Sequence, residues 1–450
     1  MENTREIVLE SLLELEKEDV FSNVLIRQVL RKYDYLPPKE KAFIKRVTEG
    51  TVERQIELDY ITGQFSNVPV PKMKPLIRAV IRMSVYQLFY MDGVPDSAVC
   101  NEAVRLVQKR HFQPLKGFVN GVLRNIARNK EKIVWPDPEK DWLKAVSVRY
   151  SMPVFLVKLW ERDYGRGQTE KMCQALLEIK PVSVRISEVL SAEEQEELVQ
   201  EWKNRGILCE RHPFLSYAWN CRNLEGLDRL PGFSEGFVTV QDVSSMLVTE
   251  CAGVRTGDFV LDVCAAPGGK SLHAACKLWG GGLVEARDIS EEKAALIREN
   301  VSRMKAENVR VKVWDASVSD PEMEEKADVL YLDLPCSGLG ILGKKRDIKY
   351  HVTKESLEDL VRLQRRIMET CFRYVKPGGV ILYSTCTVHR AENEEQVRWM
   401  CKNFPLILED LNPYLPECLQ CSEAESGMLQ LMPGVHDCDG FFLARMRRNT

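Results

Sequence analysis

Two short stretches place a cysteine where chemistry is a better use for a thiol than packing. Asp333-Leu-Pro-Cys336-Ser-Gly and Ser384-Thr-Cys386-Thr each follow an apolar run of strand character. A cysteine inside such a run is ordinarily a small hydrophobe, whereas one just past its end, in a loop of Ser, Thr and Gly, is open to a substrate. A third stretch, Asp262-Val-Cys264-Ala265-Ala266-Pro267-Gly268-Gly269-Lys270-Ser271, also follows a strand-like run. Its small residues and paired glycines let a ligand approach the backbone, and the helix after it would present its positive end. The phosphate-loop pattern requires glycine where Cys264 stands, and no G-x-G-x-x-G occurs, so a nucleoside other than ATP or NAD is indicated.

Three aspartates, Asp288, Asp315 and Asp333, close further strand-like runs. Asp288 stands at about the spacing from the glycines at which an acidic residue accepts ribose hydroxyls. Each alone reads more readily as a turn former or helix cap, but three on one sheet edge make a stronger case for a site. A thiolate, a carboxyl group and a methyl-donor pocket together suit methylation of a pyrimidine at C5. That carbon is a poor nucleophile until a thiolate adds to C6 and pushes electron density onto it. An acidic group near N3 stabilises the charge so created, a base later removes the C5 proton, and the target base must be unstacked for the thiol to reach it. Spacing alone leaves open which cysteine attacks.

The elements that must position these residues alternate. From Asp258 onward, strand-like runs at Phe259–Val263, Leu283–Ala286, Val309–Trp314, Val329–Asp333 and Gly379–Tyr383 are separated by helical patterns, predicting a doubly wound, mainly parallel sheet over 236–450. In such sheets ligands bind beyond the carboxyl ends of the strands. Residues 1–134 carry apolar positions at near-3.6 spacing, broken at Pro37-Pro38 and at Pro71 and Pro75, and predict an all-helical domain. The Trp135-Pro-Asp-Pro turn opens a stretch, 135–235, with helical patterns at Pro153–Asp163 and Ala192–Arg205 and strands at Val182–Ile186 and Phe233–Gln241, expected to be a small α+β module.

With 450 residues, 44% of them hydrophobic, the chain can build several cores and is not a disordered polymer. The net charge of −3 argues against a simple basic nucleic-acid coat, but it hides a +7 excess over residues 61–140. A solvated helix face and contact with RNA account for that excess equally well. No apolar run is long enough for a membrane span and the start lacks a secretory pattern, so a cytoplasmic location without membrane contact is expected. Fourteen scattered cysteines do not suggest a disulfide framework.

The motifs Cys264-Ala-Ala-Pro-Gly-Gly-Lys270, Asp333-Leu-Pro-Cys336-Ser and Ser384-Thr-Cys386-Thr, with the lead-in Val240-Gln-Asp-Val-Ser-Ser, resemble the signatures of the S-adenosylmethionine-dependent RNA 5-methylcytosine methyltransferases. Ile81-Arg-Met-Ser-Val-Tyr-Gln-Leu, Pro95-Asp-Ser-Ala-Val-Cys-Asn-Glu-Ala-Val and Gly117-Phe-Val-Asn-Gly-Val-Leu-Arg-Asn125 resemble the helical domain of the antitermination factor NusB. The resemblance implies a Rossmann-like class I methyltransferase domain, S-adenosylmethionine as methyl donor and 16S ribosomal RNA as partner. It implies Cys386 as the nucleophile on C6 and Cys336 as an aid to product release. It also implies Cys264 to Lys270 as the donor loop, Asp288 on the ribose, Asp315 near the adenine, and Asp333 where donor and target base meet. No protein partner is implied.

Gly343-Lys-Lys-Arg-Asp-Ile-Lys-Tyr350 departs from the family pattern, with Arg346 where a proline is usual, and its positive charge is expected beside the site, against the RNA backbone. Arg185-Ile-Ser stands where many members have an asparagine after the apolar residue. Cys418-Leu-Gln-Cys421, His436 and Cys438 have the residue types of a zinc site. A His-x-Cys pair entering a terminal strand at Gly440–Arg445 is poorly shaped for tetrahedral closure, and no metal is expected.

Overall fold

The structure is a computed structural model and describes residues 3–17, 20–224 and 226–449. The chain divides into two compact units, one of Met1–Glu178 with Leu342–His351, the other of Ile179–Ile341 with Val352–Thr450.

The first unit is helical. Helices span Thr4–Lys17, Ser22–Lys32, Pro38–Glu53, Gln55–Phe65, Pro75–Tyr90, Asp96–Lys109, Lys116–Arg128, Trp142–Arg149 and Val154–Ala175. Pro38 and Pro75, which break the sequence pattern, each open a helix at its first position, where the missing N–H is an orphan in any case. The apolar stripes meet in a core that includes Leu9, Ile44, Val47, Leu58, Val80, Val107, Leu123 and Ile126, all inaccessible or nearly so. The helix expected to end near Asp163 continues to Ala175 through a break at Gly165, whose φ of 76° a glycine adopts without cost. Residues 135–235 contribute to both units, their helices up to Ala175 to the first and the strands that follow to the second.

In the second unit, strands β1 (Val182–Ile186), β2 (Leu208–Arg211), β3 (Ala218–Arg222) and β4 (Val238–Val240) form an antiparallel sheet in the order β2-β3-β1-β4. The strand expected over 233–241 shortens to β4, because the chain turns through Gly232 and Gly236, at φ of 83° and 87°. β2 and β3 carry no alternation that would reveal them: β3 is buried on both faces up to Arg222, and β2 is mostly exposed.

Strands β5 (Phe259–Asp262), β6 (Leu283–Asp288), β7 (Val309–Val313), β8 (Ala327–Asp333), β9 (Val375–Thr385), β10 (Leu406–Leu408), β11 (Met428–Leu431) and β12 (Phe441–Arg448) form the large sheet. Its order is β10-β12-β9-β8-β5-β6-β7, with β11 on β12. The β5–β6, β6–β7, β5–β8 and β8–β9 pairings are parallel; those of β12 with β9, β10 and β11 are antiparallel. The strand order reverses between β5 and β8, so the loops leaving Asp262 and Asp333 open onto the crevice where doubly wound sheets bind ligands.

Candidate active site

Asp262 ends β5 and is buried; its Oδ2 accepts a 2.6 Å bond from Ser271 Oγ, its Oδ1 has no partner, and burial pushes its carboxyl up to about 7. The loop beyond runs through Cys264 to Gly268, which at φ 103° precedes the helix Gly269–Lys277 and gives its first turn no side-chain cap. A Cβ on Gly268 would come within 3.3 Å of Ile297. The loop is fastened to the neighbouring strand: Ala265 N–H donates to Arg287 O at 2.8 Å and Ala266 N–H to Asp288 Oδ2 at 3.0 Å. Asp288 also accepts from Ile289 N–H at 2.8 Å and pairs with Lys293 at 3.2 Å. Asp315, beyond β7, accepts from Ser317 N–H and Oγ, and these two bonds hold its carboxyl below the usual range.

Lys270, at the first turn of that helix, donates from Nζ to Asp333 Oδ2 at 2.6 Å, while Ser384 Oγ donates to Asp333 Oδ1 at 2.7 Å. Burial pulls the Lys270 ammonium down, but the Asp333 carboxylate outweighs it and the net shift is upward. The parallel register of β8 and β9 sets Asp333 opposite Ser384, so both cysteine loops leave the sheet side by side. Cys336 Sγ and Cys386 Sγ lie 3.3 Å apart with no disulfide between them. The Cys336 thiol is pushed well up, first by its hydrogen bond to Cys386 and then by burial. Gly340 N–H donates to Cys386 O at 3.1 Å and Gly440 N–H to Gly340 O at 3.0 Å, so the two loops and the entry to β12 are laced together.

The structure thus joins Cys336 to Cys386, Lys270 to Asp333, and the 264–270 loop to Asp288; Asp315 is engaged within its own loop. Sequence reasoning passed over Asp262, Glu392 and Asn393. Glu392 and Asn393 are fully buried just beyond the second cysteine loop, and a Glu-Asn pair so close to a strand end was the one signal available.

One expectation about a flanking group changes. Arg346, expected beside the site, is directed into the helical unit, pairing with Glu53 at 3.3 Å and Glu49 at 3.7 Å, while Lys349 Nζ donates to Glu53 O at 2.7 Å. The Cys/His group is spread: Cys418 and Cys421 are exposed, Cys438 is buried, and His436 Nδ1 accepts Met432 N–H at 2.9 Å. Among the described residues, metal-ligand types gather instead at Glu188, Glu250 and His273. There Lys277 Nζ already neutralises both carboxylates, at 3.0 and 2.8 Å.

Comparison with known proteins agrees with this geometry. The family model for 16S rRNA methyltransferase RsmB/F matches residues 252–447, and that for the NusB family matches residues 2–128. The chain is 33% identical to the probable ribosomal RNA small subunit methyltransferase B of Bacillus subtilis (strain 168) over 450 residues, covering 99% of each chain. It is 30% identical to the protein of the same description from Synechocystis sp., covering 100% of each. A solved methyltransferase homolog protein from Pyrococcus horikoshii matches with a TM-score of 0.57 and 25% identity, over 68% of this chain and 99% of that one. Sequence motifs, sheet topology and full-length similarity therefore agree that the chain belongs to the ribosomal RNA small subunit methyltransferase B family.

Proposed function

We propose that this chain transfers a methyl group from S-adenosylmethionine to C5 of a cytosine in 16S ribosomal RNA, through a covalent bond between Cys386 and C6 of the base. The observation that carries this reading is the pair of thiols, 3.3 Å apart, at the ends of adjacent strands that also deliver Asp333 with its Lys270 partner.

The residues present fit the methyl donor. The first turn at Gly269 has no side-chain cap, and the buried Asp262 Oδ1 lacks a partner. In this reading Cys264, Ala265, Ala266, Pro267, Gly268, Gly269 and Lys270 hold the donor, Asp288 its ribose and Asp315 its adenine. The bound donor supplies an electrophilic methyl on a sulfonium.

The Cys386 thiolate adds to C6, and the displaced electron pair is met at N3 by a proton from the Asp333–Lys270 pair. C5 then attacks the methyl, a base removes the C5 proton, the C5=C6 bond re-forms as the C6–S bond breaks, returning Cys386 as thiolate, and N3 gives its proton back to the Asp333–Lys270 pair. The leading reason Cys336 stays protonated is its bond to Cys386. Cys336, 3.3 Å from Cys386, is proposed to assist release of the product. Residues 1–134 are proposed as an RNA-binding domain and 236–450 as the catalytic domain, acting in the cytoplasm.

The test is transfer of labelled methyl to deproteinised 16S RNA, intact small subunits, large-subunit RNA and transfer RNA, with bisulfite mapping of the base. Label at C5 of a 16S cytosine is expected, and Cys386→Ala abolishes it. Activity in that variant, or label confined to another RNA, overturns the reading.

A further inference from the structure

Beneath the two thiols lies a buried polar layer that the chemistry above does not use. Glu392 is fully buried, yet its carboxylate accepts from Ser337 N–H at 2.9 Å and from Gln364 Nε2 at 3.0 Å, and its other oxygen meets His389 Nδ1 at 3.1 Å. Gln364 Nε2 also donates to Pro335 O at 2.9 Å. The residues on either side of Cys336 are therefore both fastened to the Glu392–Gln364 pair. Asn393 does the same for the other thiol: its Oδ1 accepts from Thr385 Oγ1 at 2.6 Å and its Nδ2 donates to Thr387 O at 3.0 Å, the residues flanking Cys386. Asn393 Nδ2 also reaches Gln430 Oε1 at 2.7 Å, and a 2.7 Å bond between Ser337 Oγ and Thr387 Oγ1 ties the two loops directly.

Burying a carboxylate is costly unless its bonds repay it, and an apolar side chain would fill the same space more cheaply. We infer that Glu392 and Asn393 are positioning residues, one for each thiol: Glu392 holds Cys336 for the release step and Asn393 holds Cys386 for attack on C6. The inference rests on the two-cysteine reading above and deepens it. The two loops are not equally dependent on the layer. Cys386 follows directly from β9, whose Thr385 is paired with Phe442 of β12, so its backbone stays placed when Glu392 is lost. Cys336 stands three residues beyond Asp333, the end of β8, and depends on its flanking bonds.

The experiment measures first-turnover methyl transfer to small-subunit RNA together with covalent protein–RNA adduct on denaturing gels, over time, and the thermal melting of each variant. Glu392→Ala is expected to form adduct at close to the normal rate but release it about 10-fold more slowly, so that adduct accumulates. Asn393→Ala is expected to slow first-turnover transfer by about 10-fold with no accumulation. Glu392→Gln, which keeps an acceptor for Ser337 and Gln364, restores release. Should Glu392→Ala not fold, Gln364→Met removes the Pro335 anchor and one donor to Glu392 while keeping the carboxylate, and gives the same signature. Equal slowing of both steps in the two variants overturns the division of labour and leaves a structural role only. Cys336→Ala is the control: adduct there but not in the Glu392 or Gln364 variants overturns this inference alone, whereas no adduct there overturns the two-cysteine reading as well.

Discussion

Lys270 Nζ donates to Asp333 Oδ2 at 2.6 Å, joining the loop after β5 to the end of β8 across the point where the strand order reverses. The pair is only partly exposed, so removing the cation leaves a carboxylate that solvent repays incompletely. Lys270→Met is expected to cost about 1–3 kcal/mol of stability and about 100-fold in methyl transfer. Asp333→Asn should spare stability more than activity. Chemical denaturation alongside single-turnover kinetics separates the two; equal activity in all three proteins would remove the pair from the chemistry.

The 3.3 Å approach of Cys336 to Cys386 leaves little distance to close before a disulfide forms. Mild treatment with a peroxide, which accepts the two electrons and two protons, is expected to cross-link them and stop methyl transfer, with full recovery in dithiothreitol. Intact mass and peptide mapping would show loss of two hydrogens at this pair; a cross-link elsewhere, or inactivation that thiols do not reverse, would contradict it.

Asp262 gives a pH signature of defined sign. Burial raises its carboxyl from the ordinary range near 3.8 to about 7, so the folded chain binds more protons than the unfolded one between those values. Its contribution to stability is complete below the lower value and is lost as pH rises through the upper one. Asp262→Asn, which keeps the acceptor for Ser271 but carries no charge, should gain melting temperature relative to the parent as pH goes from 5 to 8 (about those limits). A gap that stays constant with pH would show that this group does not titrate in the window.

Gly340 is needed for its lack of a side chain. A Cβ there would lie 1.9 Å from Gly440 O and 2.9 Å from Cys386 O, both backbone atoms that cannot swing aside. Gly340→Ala is expected to destabilise the second unit by about 1–3 kcal/mol and to displace the Cys386 loop. Differential scanning calorimetry and adduct formation report the two effects.

RNA binding by the helical unit can be tested charge by charge. Lys109, Arg110, Arg78 and Arg82 are paired with Glu6, Glu10, Glu16 and Asp59, and Arg346 with Glu49 and Glu53. Arg124 and Arg128 lie on the helix Lys116–Arg128, which carries no acidic residue, and Arg124 is exposed. Replacing both by alanine should lower the slope of log affinity against log salt by about 0.7–0.9 for each phosphate no longer neutralised. Arg346→Ala should leave that slope unchanged while lowering the melting temperature; the opposite pattern would place RNA on the 343–350 segment.

Much of the catalytic half was legible because its signals are local. Five strand-like runs with helices between them predict β5 to β9, and the residues that close them are fixed by chain direction once the sheet is parallel. Where burial replaces alternation the reading fails: β3, buried on both faces up to Arg222, and the exposed β2 carry no period-2 pattern. The pairing of Arg346 was not legible for a related reason, since neighbouring positive charge in sequence says nothing about which carboxylates the fold brings to it.

The sequence by itself determined the chemistry on offer: two thiols past strand ends, a glycine-bearing loop after β5, and aspartates at the remaining ends. These follow from residue type and short-range spacing, which survive in one dimension. Only the tertiary structure decided that Cys336 and Cys386 meet, that Lys270 belongs to Asp333, and that Glu392 and Asn393 lie beneath both thiols. Those relationships depend on the reversal of strand order between β5 and β8 and on the register that sets Asp333 beside Ser384. The pairings of Cys336 with Cys386, Asp333 with Ser384 and Lys270 with Asp333 join residues fifty or more positions apart, and nothing in local periodicity encodes them.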